Sequence, residues 1–175
     1  MITLRTIQPS DYQGVEKLIF NAFINTEEGY GNEAELVANL RKDPTYRSYF
    51  EVVALKNSTI VGHGLLSEVY VFKDDKVLIT GLCLAPLAVL PKEQQHGIGA
   101  KILKELEARA KNKGYPFINI LGHPDYYSKF NYKLASRYGI YPPFPVSDNS
   151  YFIKELHGKS LVNIQGTIHY LKAFN

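Results

Sequence analysis

Seven residues near the middle of the chain have the composition of an anion-binding loop. The segment Gln94-Gln95-His96-Gly97-Ile98-Gly99-Ala100 separates an apolar run from a long amphipathic segment. Because Gly97 and Gly99 have no Cβ, a ligand can approach their backbone amides closely. The segment also opens a predicted helix, whose first turn has amides without an intrahelical partner and a dipole that favours negative charge. These properties predict a phosphate or pyrophosphate ligand.

Two common phosphate-binding motifs do not fit this 94–100 loop. A P-loop requires Lys-Ser or Lys-Thr after its second glycine, and Ala100-Lys101-Ile102 stands there instead. A dinucleotide fingerprint requires a third glycine where this chain has Ile102. The glycines taken alone also fit an ordinary buried strand followed by a glycine-rich turn.

The pattern that fits is Gln-x-x-Gly-x-Gly, which resembles the acetyl-CoA pyrophosphate loop of the GNAT N-acetyltransferase superfamily. The preceding residues 84–91 resemble the strand before that loop, especially in the YhbS-like branch. The resemblance implies acetyl-CoA as co-substrate. It assigns coenzyme contacts to Gln94, Gln95, His96, Gly97, Ile98, Gly99 and Ala100.

Pro86 lies within the apolar strand that leads to the loop. Proline cannot donate to a sheet ladder, and in so apolar a run a β-bulge is favoured over an edge position. A bulge would splay this strand from its neighbour and free the backbone of Leu87, Ala88 and Val89. In the family that this chain resembles, the freed groups pair with the pantetheine arm, so these three residues are also assigned to coenzyme binding.

A second part of the resemblance runs from Gly122 to Tyr132. It is similar to the GNAT segment in which a tyrosine precedes a Gly-Phe pair, here replaced by Asn131-Tyr132. In that register Tyr127 takes the place of the family's general acid, since a phenol near the sulfur can protonate the departing thiolate. The alternative is that Tyr127 is a packing residue, as we expect for Tyr126.

The general base has several candidates. Glu68 lies on the strand beside the splayed one and is our catalytic candidate, acting directly or through water. His123 is a second candidate because imidazole is a common general base, but capping of the next helix is favoured for it. We expect His63 to be a satisfied structural histidine. His96 could assist phosphate binding or point to solvent.

Composition limits the remaining function classes. The net charge of +3 is small and scattered, which disfavours nucleic acid as a partner. The single cysteine, Cys83, cannot form an internal disulfide and lies in an apolar strand, so we expect a core side chain and no covalent acetyl-enzyme. No metal-ligand spacing is present. No signal region or membrane-spanning stretch is found, which predicts a cytoplasmic protein without a membrane partner. Homodimer formation is compatible with the sequence.

The apolar periodicities predict the elements that position these residues. Alternating or continuous apolar runs predict strands at residues 2–7, 50–55, 60–72, 77–90, 117–121, 132–140, 151–156 and 166–170. Helical spacing predicts a first helix with Val15, Leu18, Ile19, Ala22 and Phe23 inward, and a second with Leu36, Val37 and Leu40 inward. A long helix should follow the loop and end at Gly114, and a short one should cover residues 124–130.

This order predicts a single α/β domain over residues 1–175. The resemblance implies a GNAT fold, a mixed twisted sheet with a splayed central strand pair and flanking helices. It further implies an acetyl-CoA-dependent N-acetyltransferase, one of the acyltransferases that transfer groups other than aminoacyl groups, with direct transfer to a primary amine. The acceptor is a small molecule or a peptide, and residues 25–31 and 138–146 are expected to form its groove. A non-catalytic acyl-CoA-binding regulatory module is the alternative.

Overall fold

The computed structural model describes all 175 residues. The chain forms a mixed sheet of nine strands together with four α-helices. The strands are β1 (Ile2–Thr6), β2 (Glu51–Lys56), β3 (Thr59–Lys73), β4 (Lys76–Val89), β5 (Phe117–Leu121), β6 (Lys133–Leu134), β7 (Ile140–Tyr141), β8 (Tyr151–Glu155) and β9 (Gly166–Tyr170). The helices are α1 (Tyr12–Phe23), α2 (Glu33–Leu40), α3 (Ile98–Asn112) and α4 (Pro124–Tyr127).

The sheet mixes parallel and antiparallel neighbours, as predicted. Its strand order is β1-β2-β3-β4-β5-β8-β6, and β9 pairs with both β3 and β7. The β4–β5 pair is parallel, whereas β5 and β8 are antiparallel. Since α3 connects the parallel strands β4 and β5, these three elements form a βαβ unit.

The chain divides into two compact units. The first unit comprises Met1–Leu66 and Ala85–Arg109, and the second comprises Ser67–Leu84 and Ala110–Asn175. Because β3, β4 and α3 each contribute residues to both units, the division does not follow the order of elements. The prediction of one domain over residues 1–175 stays a prediction.

Helices α1 and α2 bury one face each in the first unit. The buried residues of each helix are three or four positions apart, which places them on one face. The buried residues are Val15, Leu18, Ile19 and Ala22 in α1, and Ala34, Val37 and Leu40 in α2. Phe23 and Leu36, also predicted as inward residues, are only half-buried, and the buried stripe of α2 passes through Ala34 instead of Leu36.

Helix α3 lies close against β3. A Cβ built at Gly62 would be 2.8 Å from Ile102 Cδ1, and one built at Gly64 would be 2.6 Å from Ile102 Cγ2. Real Cβ atoms essentially never make such short contacts, so these glycines permit the approach of the helix. The predicted apolar face of α3 is confirmed, since Ile98, Ile102, Leu103, Leu106 and Ala110 are all buried.

Gly114 ends α3 in the predicted way. It has a φ of +79°, and its amide donates to the Lys111 carbonyl at 3.0 Å. The Tyr115 amide donates to the Ala110 carbonyl at 3.1 Å. This pair of hydrogen bonds is a Schellman motif, in which a left-handed residue satisfies the last carbonyls of a helix.

The predicted strand over residues 132–140 was wrong. That segment holds the two-residue strand β6, a 3-10 turn at Ala135–Tyr138 and the start of β7. Gly139 has a φ of +70° and donates its amide to the Ser136 carbonyl at 3.0 Å, which turns the chain. Ala135 and Ile140 are buried in the core of the second unit. Burial of apolar residues on a turn therefore produced the pattern that resembled a strand.

None of the α-helices combines the length and the apolar character that crossing a lipid bilayer requires.

Candidate active site

The 94–100 loop lies between β4 and α3, as the sequence predicted. A 3-10 turn at Pro91–Glu93 precedes it, and α3 begins at Ile98. The Lys101 amide donates to the Gly97 carbonyl at 3.1 Å, which is the first hydrogen bond of the helix. The amides of the preceding turn, residues 98–100, therefore have no intrahelical acceptor and are available to an anion.

The backbone conformation at position 97 requires glycine. Its φ is +75°, in the left-handed region that side chains other than glycine rarely adopt. A Cβ built at Gly97 would meet no other atom within 4 Å. The backbone at this position is thus open to an approaching ligand, and the residues present fit a pyrophosphate.

Gln94 ties the loop to the end of the strand before it. Its side-chain Nε2 donates to the Val89 carbonyl at 3.1 Å. The next amide, that of Leu90, donates to the Val61 carbonyl of β3 at 3.0 Å. His96 is exposed in the loop, as expected for a ring that faces solvent.

The pairing between β4 and β5 is short. It consists of two register pairs, Leu82 with Ile118 and Cys83 with Asn119. The pairing ends three residues before Pro86, whose peptide bond with Ala85 is cis. The expected splayed strand pair is therefore confirmed. The bulge at Pro86, and the coenzyme contacts of Leu87, Ala88 and Val89, stay predictions.

Tyr127 is the last residue of α4, as the resemblance required. The carbonyl of His123 accepts hydrogen bonds from the amides of Tyr126 and Tyr127, so His123 caps α4 with its backbone while its side chain is exposed. Asn131, with a φ of +66°, ends the following 3-10 turn. The left-handed conformation of this asparagine supports the register in which Asn131-Tyr132 replaces Gly-Phe.

The ring of Tyr127 is held by aromatic neighbours. It makes edge contacts with Tyr126, at a centroid distance of 5.0 Å, and with Tyr132, at 6.0 Å. Phe152 of β8 lies 6.4 Å away. The backbone of Gly122 is so close to the Tyr127 ring that a Cβ there would collide with Cε2. Burial raises the pKa of Tyr127, so its hydroxyl keeps its proton at neutral pH.

The Glu68 carboxylate is held by two phenols. Tyr115 donates to Oε1 at 2.7 Å, and Tyr70 donates to Oε2 at 3.0 Å. Tyr115 directly follows the C′ residue of α3. Each carboxylate oxygen has a second lone pair, so Glu68 can still accept a hydrogen bond from a water molecule.

His63 is buried in an ion-pair cluster of the first unit. Its Nε2 lies 2.8 Å from Glu51 Oε1, which also accepts a hydrogen bond from Arg41 at 2.6 Å. The Tyr46 hydroxyl donates to Glu51 Oε2 at 2.7 Å. A satisfied structural histidine was expected at this position, and the structure bears this out only in part, because Nε2 is hydrogen-bonded to Glu51 whereas Nδ1 has no hydrogen-bond partner.

Cys83 is buried in the core of the second unit, as expected. Its Sγ lies 3.5 Å from the Ser67 hydroxyl oxygen. Burial raises the pKa of the Cys83 thiol to about 12. Since the thiolate is the nucleophilic form of cysteine, this side chain is inert at neutral pH.

A cavity of about 310 Å³ lies between α1 and α2 in the first unit. Its floor is apolar, and the acids Glu16 and Glu35 line it together with Arg41. Arg41 lies 3.8 Å above the centre of the Tyr12 ring. No residue of the 94–100 loop lines this cavity, so it is separate from the predicted phosphate site.

The sequence did not reveal several residues that shape these regions. Gly122 permits the approach of the Tyr127 ring, and Lys56 pairs with Glu93 directly before the loop. Asn119 and two tyrosines form a buried polar chain beside Cys83: Tyr170 donates to Asn119 Oδ1 at 2.8 Å, and the Tyr151 and Tyr170 oxygens lie 2.7 Å apart. The Lys56–Glu93 and Tyr170–Asn119 contacts join distant parts of the sequence, so no local pattern could have indicated them.

Comparison with known proteins defines the class to which this fold and site belong. The model of the acetyltransferase (GNAT) family matches residues 13–139. The chain therefore belongs to the GNAT family, whose members catalyse acetyl transfer. The expected family and its enzymatic activity are confirmed.

Two relatives in Escherichia coli K12 are similar over most of their length. The chain is 28% identical to the uncharacterized N-acetyltransferase YjhQ over 147 residues, which are 83% of this chain and 78% of YjhQ. It is 26% identical to the uncharacterized N-acetyltransferase YhbS over 172 residues, 98% of each chain.

Solved structures show the same fold. The crystal structure of E. coli YhbS in complex with CoA matches with a TM-score of 0.88 and 26% identity, covering 99% of this chain and 92% of YhbS. A GNAT acetyltransferase from Brucella melitensis in complex with acetyl-CoA matches with a TM-score of 0.81 and 23% identity, covering 100% and 99% of the two chains. The GNAT fold that the sequence predicted is confirmed.

Proposed function

We propose that this chain uses acetyl-CoA as co-substrate and transfers the acetyl group directly to a primary amine. The 94–100 loop is the observation that carries the proposal. Its unpaired first-turn amides, its open Gly97 backbone and the α3 dipole together form a site for a pyrophosphate. The CoA bound by YhbS, which is similar over nearly the whole chain, supports the same ligand here.

Two stretches of the first unit would bind the coenzyme, which supplies the activated acetyl thioester. The amides of residues 98–100 would hold the pyrophosphate, with Gln94, Gln95, His96 and Gly97 shaping the loop around it. The backbone of Leu87, Ala88 and Val89 would pair with the pantetheine arm. The short β4–β5 pairing supports this second contact, because it ends before these residues.

The state of the only cysteine supports direct transfer. An acetyl-enzyme formed on cysteine would need a thiolate, and the pKa of Cys83 is raised to about 12 by burial. The amine of the acceptor must then attack the acetyl group itself. Intact-protein mass spectrometry after incubation with acetyl-CoA alone should accordingly show no acetylated enzyme.

Tyr127 would donate a proton to the departing thiolate. The phenol is protonated at neutral pH, so it can donate a hydrogen bond to the sulfur and its proton as negative charge develops there. Its aromatic neighbours fix the direction of the ring, so the hydroxyl is held in one place. A positioned donor of this kind is what general-acid catalysis requires.

Glu68 is our proposed base for the amine, acting through a water molecule. Both of its oxygens already accept a phenolic hydrogen bond, which leaves a lone pair on each for that water. Glu68→Gln keeps the size of the side chain and removes its basicity. If Glu68 is the base, the acidic limb of the kcat/KM profile should disappear in this variant, whereas an unchanged profile would assign the base elsewhere.

The acceptor groove would include residues 25–31, which connect α1 to α2. In this segment Tyr30 makes an edge contact with Phe20, at 5.1 Å between ring centroids, and its hydroxyl donates to Glu35. Phe20 and Ile24 are exposed beside it. Residues 138–146 of the second unit are the other segment proposed for acceptor binding, and Phe144 is exposed in it.

The test is a screen of amines with release of the CoA thiol as readout. The proposal predicts turnover that depends on both acetyl-CoA and a primary amine, with an amide product. CoA binding without turnover for any small-molecule, peptide N-terminal or lysine amine would favour a non-catalytic acyl-CoA-binding regulatory module. Absence of CoA binding would overturn the proposal altogether.

A further inference from the structure

A buried acid stands immediately before the 94–100 loop. Glu93 ends the 3-10 turn Pro91–Glu93, and only 12% of its side chain is exposed. Its two oxygens accept hydrogen bonds from Lys56 Nζ, at 3.2 Å and 2.9 Å. Lys56 is the last residue of β2 and comes 37 positions earlier in the chain. The contact therefore fastens the entrance of the loop to a distant strand.

The charge of Glu93 is unfavourable for the ligand that this loop would bind. A carboxylate beside a phosphate site repels the phosphate, and a buried acid is costly unless it is paired. The hydrogen bond from Lys56 lowers the pKa of Glu93, so the acid is ionised at neutral pH. Lys92, the preceding residue, carries a further positive charge that lowers the pKa of Glu93.

The Lys56 ammonium has one N–H group that Glu93 does not use. An ammonium carries three N–H groups, and the carboxylate of Glu93 takes up two of them. The Lys56 side chain is 46% exposed, so its remaining N–H can reach a ligand from solvent. Lysine is a compact point charge that commonly binds phosphate.

We propose that Lys56 is a phosphate-binding residue of the coenzyme site, and that Glu93 positions it. The ion pair holds the ammonium at the entrance of the loop, where it cancels the acid and contacts a phosphate group of the coenzyme. This inference rests on the proposed function, since it assumes that CoA binds at the 94–100 loop. The phosphate contacted belongs either to the pyrophosphate or to the 3′-phosphate of the coenzyme.

A purely structural ion pair predicts a different pattern of effects. If the pair only fixes the turn, breaking it from either side should weaken CoA binding equally. If Lys56 binds phosphate, Lys56→Met removes the cation and leaves the carboxylate facing the ligand. Glu93→Gln instead keeps the cation, retains a hydrogen-bond acceptor and removes the repulsion. The two variants should then change CoA affinity in opposite directions.

Lys73 provides a matched control. Like Lys56, it is an exposed lysine at the end of a strand that is followed by a two-residue turn. Lys73→Met therefore changes the net charge by the same amount at an equivalent position in a different hairpin. Comparing Lys73→Met with Lys56→Met shows whether a loss of CoA affinity comes from a contact between Lys56 and a phosphate or from the lower net charge of the protein.

The experiment is isothermal titration of CoA and of dephospho-CoA into the parent and these three variants, at low and high salt. We expect Lys56→Met to weaken CoA binding about tenfold or more and to lower its salt dependence. Glu93→Gln should bind CoA as tightly as the parent or more tightly, and Lys73→Met should bind like the parent. A loss confined to CoA assigns Lys56 to the 3′-phosphate, and an equal loss for both ligands assigns it to the pyrophosphate.

Two results would overturn the inference. One is binding of CoA to Lys56→Met within twofold of the parent, and the other is an equal loss in Lys56→Met and Glu93→Gln. If Lys56→Met does not fold, the Lys56→Met/Glu93→Gln double variant carries no unpaired buried charge and replaces it, with the same expected loss relative to Glu93→Gln alone. If the parent protein itself does not bind CoA, the proposed function fails together with the inference. That result differs from the two above, in which the parent binds CoA and only the inference fails.

Discussion

Pairs of oppositely charged side chains are prominent in the first unit, whereas tyrosine hydroxyls and aromatic rings surround the proposed catalytic residues of the second. Four ion pairs lie in the first unit, Arg5–Asp11, Arg41–Glu51, Lys56–Glu93 and Arg109–Glu105, and His63 is hydrogen-bonded to Glu51. In the second unit, phenols bind Glu68, and Tyr170 joins Tyr151 to Asn119. Aromatic rings surround Tyr127 in the same unit.

This difference matches the chemistry proposed for each unit. A loop that binds a highly charged coenzyme benefits from fixed charges that are compensated before the ligand arrives. A neutral proton donor benefits from apolar and aromatic neighbours, because they hold its ring and hydroxyl in one position. The first unit should therefore respond to changes of charge, and the second to changes of shape.

The largest effect should come from the hydroxyl of Tyr127. Tyr127→Phe keeps the ring and its aromatic contacts and removes the proton donor. General-acid assistance is worth about 10²–10⁴-fold, so we expect kcat to fall by that factor while CoA affinity stays unchanged. Single-turnover rates with saturating acceptor measure the loss without interference from product release. Tyr126→Phe is the control, and a parent-like rate in Tyr127→Phe would make Tyr127 a packing residue.

The next effect concerns the stability of the first unit. Burial alone would raise the pKa of Glu51, but hydrogen bonds from His63 and Arg41 overcome it and lower the pKa to about 2. A lowered pKa stabilises the folded state above the unfolded value, near 4.5, and this stabilisation is lost as pH falls towards 2.

Glu51→Gln should therefore cost about 3 kcal/mol of unfolding free energy at pH 7, and less at pH 3. Urea titrations at both pH values give the difference. Glu105→Gln breaks a pair in which the acid side chain is 39% exposed and should cost about 0.5 kcal/mol or less. Equal losses in the two variants would contradict the importance of the buried ion pair.

Gly97 and Gly114 give a matched comparison at the two ends of α3. Both have a positive φ, and a Cβ at either would meet no atom within 4 Å, so valine should strain both sites similarly. Acetyl-CoA at about 100 times its Kd should stabilise the parent by roughly 2.7 kcal/mol. We expect Gly97→Val to lose this stabilisation and Gly114→Val to retain it, as thermal melting with and without the coenzyme would show. Retention in both variants would place the pyrophosphate elsewhere.

The smallest effect should follow from a methyl group beside Tyr127. Gly122→Ala places a Cβ against the Tyr127 ring and must displace it. Because misplacement by about 1 Å can cost about 10²-fold, we expect kcat to fall about tenfold, with CoA affinity unchanged. Gly158→Ala is the control, since a Cβ there meets no atom within 4 Å. An unchanged kcat in Gly122→Ala would show that the ring position is not critical.

The sequence predicted best where the determinants are local. Residues close together in the sequence determine the bounds of β5 and β9. The same holds for the start of α3 and for its end at Gly114. The segment of residues 132–140 failed because burial on a turn imitates strand alternation. Lys56 and Glu93 could not have been paired from the sequence, since their contact depends on how β2 and the loop pack. The approach of Gly122 to Tyr127 is local but depends on a ring orientation that composition does not determine.

A crystal structure of the protein with acetyl-CoA bound tests the central claim most directly. The account predicts that the pyrophosphate accepts hydrogen bonds from the amides of residues 98–100, and that the thioester sulfur lies within hydrogen-bonding reach of the Tyr127 hydroxyl. A pyrophosphate bound away from the 94–100 loop, or a sulfur out of reach of that hydroxyl, would contradict it.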